Sequence, residues 1–170
     1  MRLFLAIPLS DELRTMLTDY QDRLRATGVT GSFSPAENLH LTLAFIGEYP
    51  DPEHVLDAVS GLSFKPFRLG IEKTGSFSDT LWAGTVRNDT LEKLVSDLRR
   101  ALSDAAIPFD RKKFHPHITL VRRASLPCRI GDLPVLESSS MTVDSFSLFR
   151  SDRGKHGMIY TETGCVVSGI

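Results

Sequence analysis

The chain has 170 residues, 41% hydrophobic and 24% charged, with a net charge of −1. This composition suits a folded chain with a buried core and excludes disordered, collagenous and coiled-coil proteins. Two cysteines, Cys128 and Cys165, are too few for a disulfide framework and lack the spacing of a zinc ribbon, and the near-neutral total gives no global pull toward nucleic acid or anionic membrane.

In chain order, Arg2 to Pro8 reads as a buried strand. The apolar run Leu3 to Leu9 stops at Asp11 and Glu12, too short for a secretion signal or a membrane span, so a cytoplasmic protein without membrane partners is expected. Ser10 caps a helix with Leu13, Met16, Leu17, Tyr20 and Leu24 at helical spacing. A loop with Gly28, Gly31 and Pro35 follows, then a strand from His40 to Ile46 closed by Gly47. Asp51-Pro52 opens a short helix that ends at Gly61. Strands are expected at Phe67 to Phe77 and Leu81 to Arg87. Asp89 with Glu92 reads as a capping box for a second long helix carrying Leu91, Leu94, Val95, Leu98 and Leu102. Beyond Pro108 come a strand at His117 to Val121, a connection from Pro127 to Pro134, and a loop at Ser138 to Ser140. One strand through Met141 to Phe149 and a last one near Met158 to Glu162 complete the reading.

Within this order lies a repeat. A strand, a long helix, a loop and a strand opening His-x-Thr-Leu occur twice, with 36 residues from Phe4 to His40 and 35 from Trp82 to His117. Units this short cannot each bury a core, so the expectation is one domain over residues 1–170, an α+β fold of two pseudo-symmetric lobes with a cleft between them. Charge is also uneven: residues 1–85 carry a net −4 and residues 86–170 a net +3. Arg111, Lys112, Lys113, Arg122 and Arg123 lie close together with no acid among them, either a solvated basic face or a footprint for phosphate.

The chemistry-bearing residues are His40-Leu41-Thr42-Leu43 and His117-Ile118-Thr119-Leu120. Strand alternation puts each His and its Thr on one face and the aliphatic residues on the other. If the lobes oppose each other, two imidazoles and two hydroxyls surround one small space. Displacement at phosphorus needs one proton removed and one delivered on opposite sides, and imidazole, titrating near ~6.5, does either. The two hydroxyls suit the non-bridging oxygens. His115-Pro116-His117 raises a metal site, but neither motif has further ligands at a recognisable spacing, so no metal is expected. His54 and His156 read as surface residues. Phe4 offers a stacking surface for a base, whereas strand phase assigns Phe45 to the core, with Trp82 and Phe114.

These tetrapeptides and their surroundings resemble the two-histidine phosphoesterase superfamily and, within it, the bacterial RNA 2′,3′-cyclic phosphodiesterases, formerly described as 2′-5′ RNA ligases. The similarity runs through Arg2 to Ile7, Glu37 to Glu48, Phe114 to Arg122, Phe149-Arg150-Ser151, Gly157 and Tyr160, with Phe33 where the family has Trp. The resemblance implies antiparallel-rich sheets facing a central cleft with helices outside. It also implies hydrolysis of a 2′,3′-cyclic phosphate end of RNA or an oligonucleotide to a 2′-phosphomonoester without cofactor or metal, and weak 2′-5′ joining. On matching positions, His40 is the proton donor to the departing 3′ oxygen and His117 the acceptor that activates water, with Thr42 and Thr119 on the phosphate. Arg122, Arg150 and Tyr160 match positions that serve the substrate. A monomer with no obligate protein partner is expected. Two other readings stay open: a two-histidine enzyme acting on cyclic nucleotides, ADP-ribose cyclic phosphate or 2′-5′ oligoadenylate, and a non-catalytic module whose histidines bind an RNA end.

Overall fold

Leu3 to Ile7 are all buried, as expected of a strand covered on both faces. In the computed structural model, which describes residues 1–169, this strand is β1 (Arg2–Pro8). It pairs with β3 (His40–Glu48) on one side and β8 (Ser145–Gly154) on the other, and β9 (Gly157–Val167) lies beyond β8. The second sheet takes β2 (Thr30–Phe33), β6 (His117–Ser125), β5 (Thr80–Thr85), β4 (Phe67–Phe77) and β7 (Ser139–Val143) in that order. All these pairings are antiparallel. With β2 set aside, β3-β1-β8-β9 and β6-β5-β4-β7 correspond strand for strand, which is the duplication seen as α+β architecture. The register pairs Ala6 with Thr42 and Trp82 with Thr119, so Ala6 rather than Phe4 is the counterpart of Trp82.

Three helices complete the fold. α1 (Asp11–Thr27) starts where Ser10 Oγ accepts from Leu13 N and stops at Gly28 with φ 111°. α2 (Pro52–Val59) is capped by Asp51, and α3 (Asp89–Asp104) by Asn88, whose Oδ1 accepts from Leu91 N at 2.9 Å. The capping box expected at Asp89 is therefore one residue out; Asp89 and Glu92 lie in the first turn, where carboxylates favour the helix dipole. α3 packs on α2 and β3, while α1 reaches the second sheet. There the Tyr20 hydroxyl donates to Pro134 O at 2.7 Å and lies 2.6 Å from Thr74 Oγ1.

Two elements differ from the sequence reading, and both bind the lobes together. Thr30 to Phe33, expected as loop, is strand β2 and joins the edge of β6, so a segment of the N-terminal half belongs to the second sheet. The run Met141 to Phe149 is not one strand. It breaks at Asp144, leaving β7 in the second sheet and sending β8 into the first; Ser139 and Ser140, expected as loop, belong to β7. Met141 and Val143 bury on one side of the break, Phe146 and Leu148 on the other.

Among the described residues no helix is long and apolar enough to cross a membrane. One polar core group ties α1 to both β6 and the loop after β2. Gln21, 2% exposed, donates from Nε2 to Ser34 O at 2.9 Å and to Leu120 O at 3.0 Å. Replacing it takes this donor from Ser34 O, while Leu120 O keeps the bond from Ser34 N, and a carbonyl left unpaired at a part-buried junction costs about 1–3 kcal/mol. Gln21→Leu should therefore lower the unfolding free energy by that amount in urea titration; unchanged stability would show that the amide is not needed to hold this junction.

Candidate active site

β3 and β6 contact each other across the two sheets, and each carries the same irregularity. In β3 the register passes from Thr42 opposite Ala6 to Ala44 opposite Leu5, leaving Leu43 unpaired; in β6 it passes from Thr119 opposite Trp82 to Val121 opposite Leu81, leaving Leu120 unpaired. Both bulges begin three residues after the histidine. A bulge adds one residue and reverses the in-out alternation beyond it. His40 and Thr42 stay on the cleft face while Leu41 and Leu43 bury, and beyond the bulge Phe45 turns outward to 48% exposure. Phe45 is thus not the core residue that unbroken alternation assigns. The equivalent residue on β6 is Arg122, which the same bulge brings onto the cleft beside His40.

The imidazoles are held alike. His40 Nδ1 lies 2.7 Å from Asn38 O and His117 Nδ1 2.6 Å from His115 O, in each case the carbonyl two residues back. A carbonyl only accepts, so Nδ1 carries the proton and donates, and in the neutral ring Nε2 is the basic atom. His40 Nε2 sits 2.8 Å from Thr42 Oγ1. Aromatic rings back both imidazoles: Phe4 at 5.0 Å and Tyr160 at 5.3 Å beside His40, Phe77 at 5.2 Å and Trp82 at 6.1 Å beside His117.

Burial is the main cause that lowers both imidazoles from their ordinary value of ~6.5. The hydrogen bond to the backbone opposes it in each. Arg122 and His117 add like charge at His40, and His115 and Arg122 add it at His117. Arg122 forms no ion pair among the described residues, so the cleft presents an uncompensated cation to an anionic ligand.

The other residues expected at the site divide. Thr119 lines the main cavity with His40, Arg122 and Tyr160. Phe4 is at the site but only 4% exposed; its ring is packed by His40, Phe45, Phe149 and Tyr160, so it supports the cleft wall and does not offer the open stacking face expected of it. Arg150 stands opposite Leu3 on the buried-core face of the first sheet and pairs with Asp152 at 2.7 Å, away from the cleft. Trp82 and Phe114, expected in the core, are half-buried instead. Phe149, which carries the resemblance without an expected role, and Phe77, expected only as the end of a strand, stand in the aromatic walls. So does Asn38, whose Nδ2 donates to Met158 O at 2.9 Å and ties the start of β3 to β9. Their signal is pairing partner, not residue type. Among the described residues no three His, Cys, Asp or Glu cluster as metal ligands.

A duplicated α+β scaffold presenting one histidine motif from each half to a shared cleft is that of a two-histidine phosphoesterase. The model of the LigT like Phosphoesterase family matches residues 7–88 and again 84–160, once for each half, and the chain belongs to that family. It is 32% identical over 181 residues to the RNA 2′,3′-cyclic phosphodiesterase of Methanothermobacter thermautotrophicus, covering 95% of each chain. The crystal structure of a Thermus thermophilus protein superposes with a TM-score of 0.83 at 31% identity, over 98% of this chain and 97% of that one. Escherichia coli LigT complexed with 3′-AMP superposes at 0.82 and 28% identity, over 98% and 96%.

The wall beside His117 depends on a glycine. A Cβ at Gly75 would fall 2.6 Å from Cζ3 of Trp82 and closer still to neighbouring ring atoms, so the indole rests on bare backbone. Trp82 is the chain's single tryptophan. Gly75→Ala should shift its fluorescence emission and lower turnover together; an unchanged emission spectrum would contradict this packing.

Proposed function

We propose that the chain hydrolyses 2′,3′-cyclic phosphate ends of RNA, with His40 and His117 as the acid and base pair. What supports this is the matched anchoring of the two imidazoles: both donate from Nδ1 to backbone, leaving Nε2 as the basic atom, on equivalent strands of the two sheets that contact each other, and His117 is near enough to His40 to act on its charge. The names of full-length relatives support the substrate, since they are RNA 2′,3′-cyclic phosphodiesterases.

In the proposed reaction the cyclic phosphate lies against Arg122, Thr42 and Thr119, which stabilise the charge that grows on its non-bridging oxygens. Neutral His117 takes a proton from water through Nε2 as the water oxygen bonds to phosphorus. His40, protonated, gives the proton on Nε2 to the 3′ oxygen as the P–O3′ bond breaks, leaving a 2′-phosphomonoester. Each imidazole then holds the other's starting protonation state, and exchange with solvent restores them. The departing oxygen stays tethered to the ribose and ring strain is relieved, so the pair needs to supply no more than the two proton transfers. If the 5′-hydroxyl of a second RNA end takes the place of water, the same two proton transfers form its bond to phosphorus as the P–O3′ bond breaks, joining the ends through a 2′-5′ linkage.

Imidazoles lowered by burial and by Arg122 make a stronger acid but hold their proton only at lower pH. Turnover requires one protonated and one neutral ring, so kcat/KM should trace a bell whose centre lies on the acid side of ~6.5. An anionic substrate raises both rings, which moves the kcat profile to higher pH. A kcat/KM bell centred above pH 7 would contradict the assignment.

His40→Ala and His117→Ala should each lower kcat by about 10²–10⁴-fold while the far-UV circular dichroism stays unchanged. EDTA should leave the rate as it was. Either variant retaining most of its turnover would overturn the paired mechanism. Binding of a cyclic phosphate end with no product after prolonged incubation would favour a non-catalytic module instead.

A further inference from the structure

We propose that the cleft holds a second nucleotide, with the phosphodiester that precedes the terminal cyclic phosphate bound at a cationic subsite made by Arg123 and Arg153. The chain would then act on RNA ends of two or more nucleotides in preference to free nucleoside cyclic phosphates. The inference rests on the reaction proposed above and narrows its substrate.

Size is the first observation. The main cavity has a volume of about 690 Å³, and it runs from His40, Thr119 and Arg122 between the β2 segment and the turn joining β8 to β9, reaching Arg123, Arg153 and His156. Pockets for one small ligand begin at ~300 Å³, so a single nucleotide at the histidines leaves the outer part of this space open.

Charge is the second. Neither Arg123 nor Arg153 forms an ion pair among the described residues, whereas Arg150, three residues earlier on β8, is neutralised by Asp152. Asp79 is the one carboxylate among the described residues that line the cavity. Two free guanidiniums against one carboxylate give the outer cavity an excess of positive charge, and the low-dielectric protein walls concentrate its field.

Backbone geometry is the third. Arg122 and Arg123 are consecutive in β6, and consecutive strand residues normally point to opposite faces. Both nevertheless line the cavity, and Arg123 has a left-handed φ of 50°, uncommon for a residue with a side chain. β2 closes against this stretch because Gly31 has no side chain: a Cβ there would fall 2.8 Å from Arg122 O and 2.9 Å from Arg123 O. The fold thus places the Arg122 guanidinium where it acts on both histidines and brings Arg123 onto the same cavity away from them. Guanidinium binds phosphate by paired, charge-assisted hydrogen bonds.

The test compares kcat/KM for three substrates: cytidine 2′,3′-cyclic phosphate, a dinucleotide ending in the same cyclic phosphate, and that dinucleotide with its internal phosphodiester replaced by an uncharged methylphosphonate. The charged dinucleotide should exceed the mononucleotide by about tenfold or more, and the methylphosphonate should lose that advantage. Arg153→Ala should remove the preference and leave the mononucleotide rate unchanged, and Asp79→Asn should increase it. Salt should depress the charged dinucleotide more steeply, by about 0.7 in log–log slope for one extra phosphate contact. Equal kcat/KM for the charged and uncharged dinucleotides, or an Arg153→Ala variant that slows all three equally, would overturn the subsite. If no cyclic phosphate were opened at all, the reaction would be at fault. The subsite would then be decided by fluorescence anisotropy with the two dinucleotides, tighter binding of the charged one supporting it and equal binding refuting it.

Discussion

The site depends on one hydrogen bond made twice, from imidazole Nδ1 to the carbonyl two residues earlier in the chain. At His40 the acceptor is Asn38 O and at His117 it is His115 O. Because a carbonyl has no proton to give, this bond settles which nitrogen is protonated before any ligand arrives and leaves the other for proton transfer. It also fixes each ring against its strand, so that the ring's position is set by the sheet. The sheets in turn are held in relation by strand β2, by the β7–β8 crossover and by Gln21, all of which pass between the lobes.

The paired bulges are the second device. Without them each motif strand would continue its cleft face from His and Thr to Ala44 or Val121 and would return the residue five places after the His to the core. With them, one strand contributes Phe45 and the other Arg122. The duplicated geometry is therefore used asymmetrically: one half supplies an exposed aromatic ring and the other a cation. That difference breaks the near-symmetry of the two histidines. The same asymmetry recurs in burial, since His40 is packed between Phe4 and Tyr160 while His117 lies nearer solvent against Phe77.

Much of this was legible in the amino-acid pattern, because it depends on periodicity. The duplication, the long helices and the histidine tetrapeptides follow from spacing and alternation, and the duplicated α+β fold with them. What was not legible depends on register. Unbroken alternation puts Phe45 in the core and Arg122 on the buried face as well, so strand phase gives no sign of Arg122 at the cleft, and its link to phosphate comes from the basic cluster and the family resemblance alone. The Met141 to Phe149 run did contain a clue: its buried residues change parity between Val143 and Phe146, as they must when a strand leaves one sheet for another. Thr30 to Phe33 is too short and too rich in glycine and serine to signal a strand; it forms one because β6 offers an edge that only Gly31 can approach. Arg150 matched a family position, but residue type alone could not tell which face of β8 it occupies.

The central claim is that both imidazoles attend a single phosphorus with Nδ1 protonated and Nε2 free to accept or donate. ¹⁵N NMR of the histidine-labelled protein, titrated with a non-hydrolysable analogue of a 2′,3′-cyclic phosphate, measures this directly. The account predicts that His40 and His117 both start as Nδ1–H tautomers near neutral pH, and that both Nε2 resonances move on a single binding curve, one of them toward the protonated position. A response confined to one histidine, or a protonated Nε2 with a bare Nδ1 in the free protein, would contradict it.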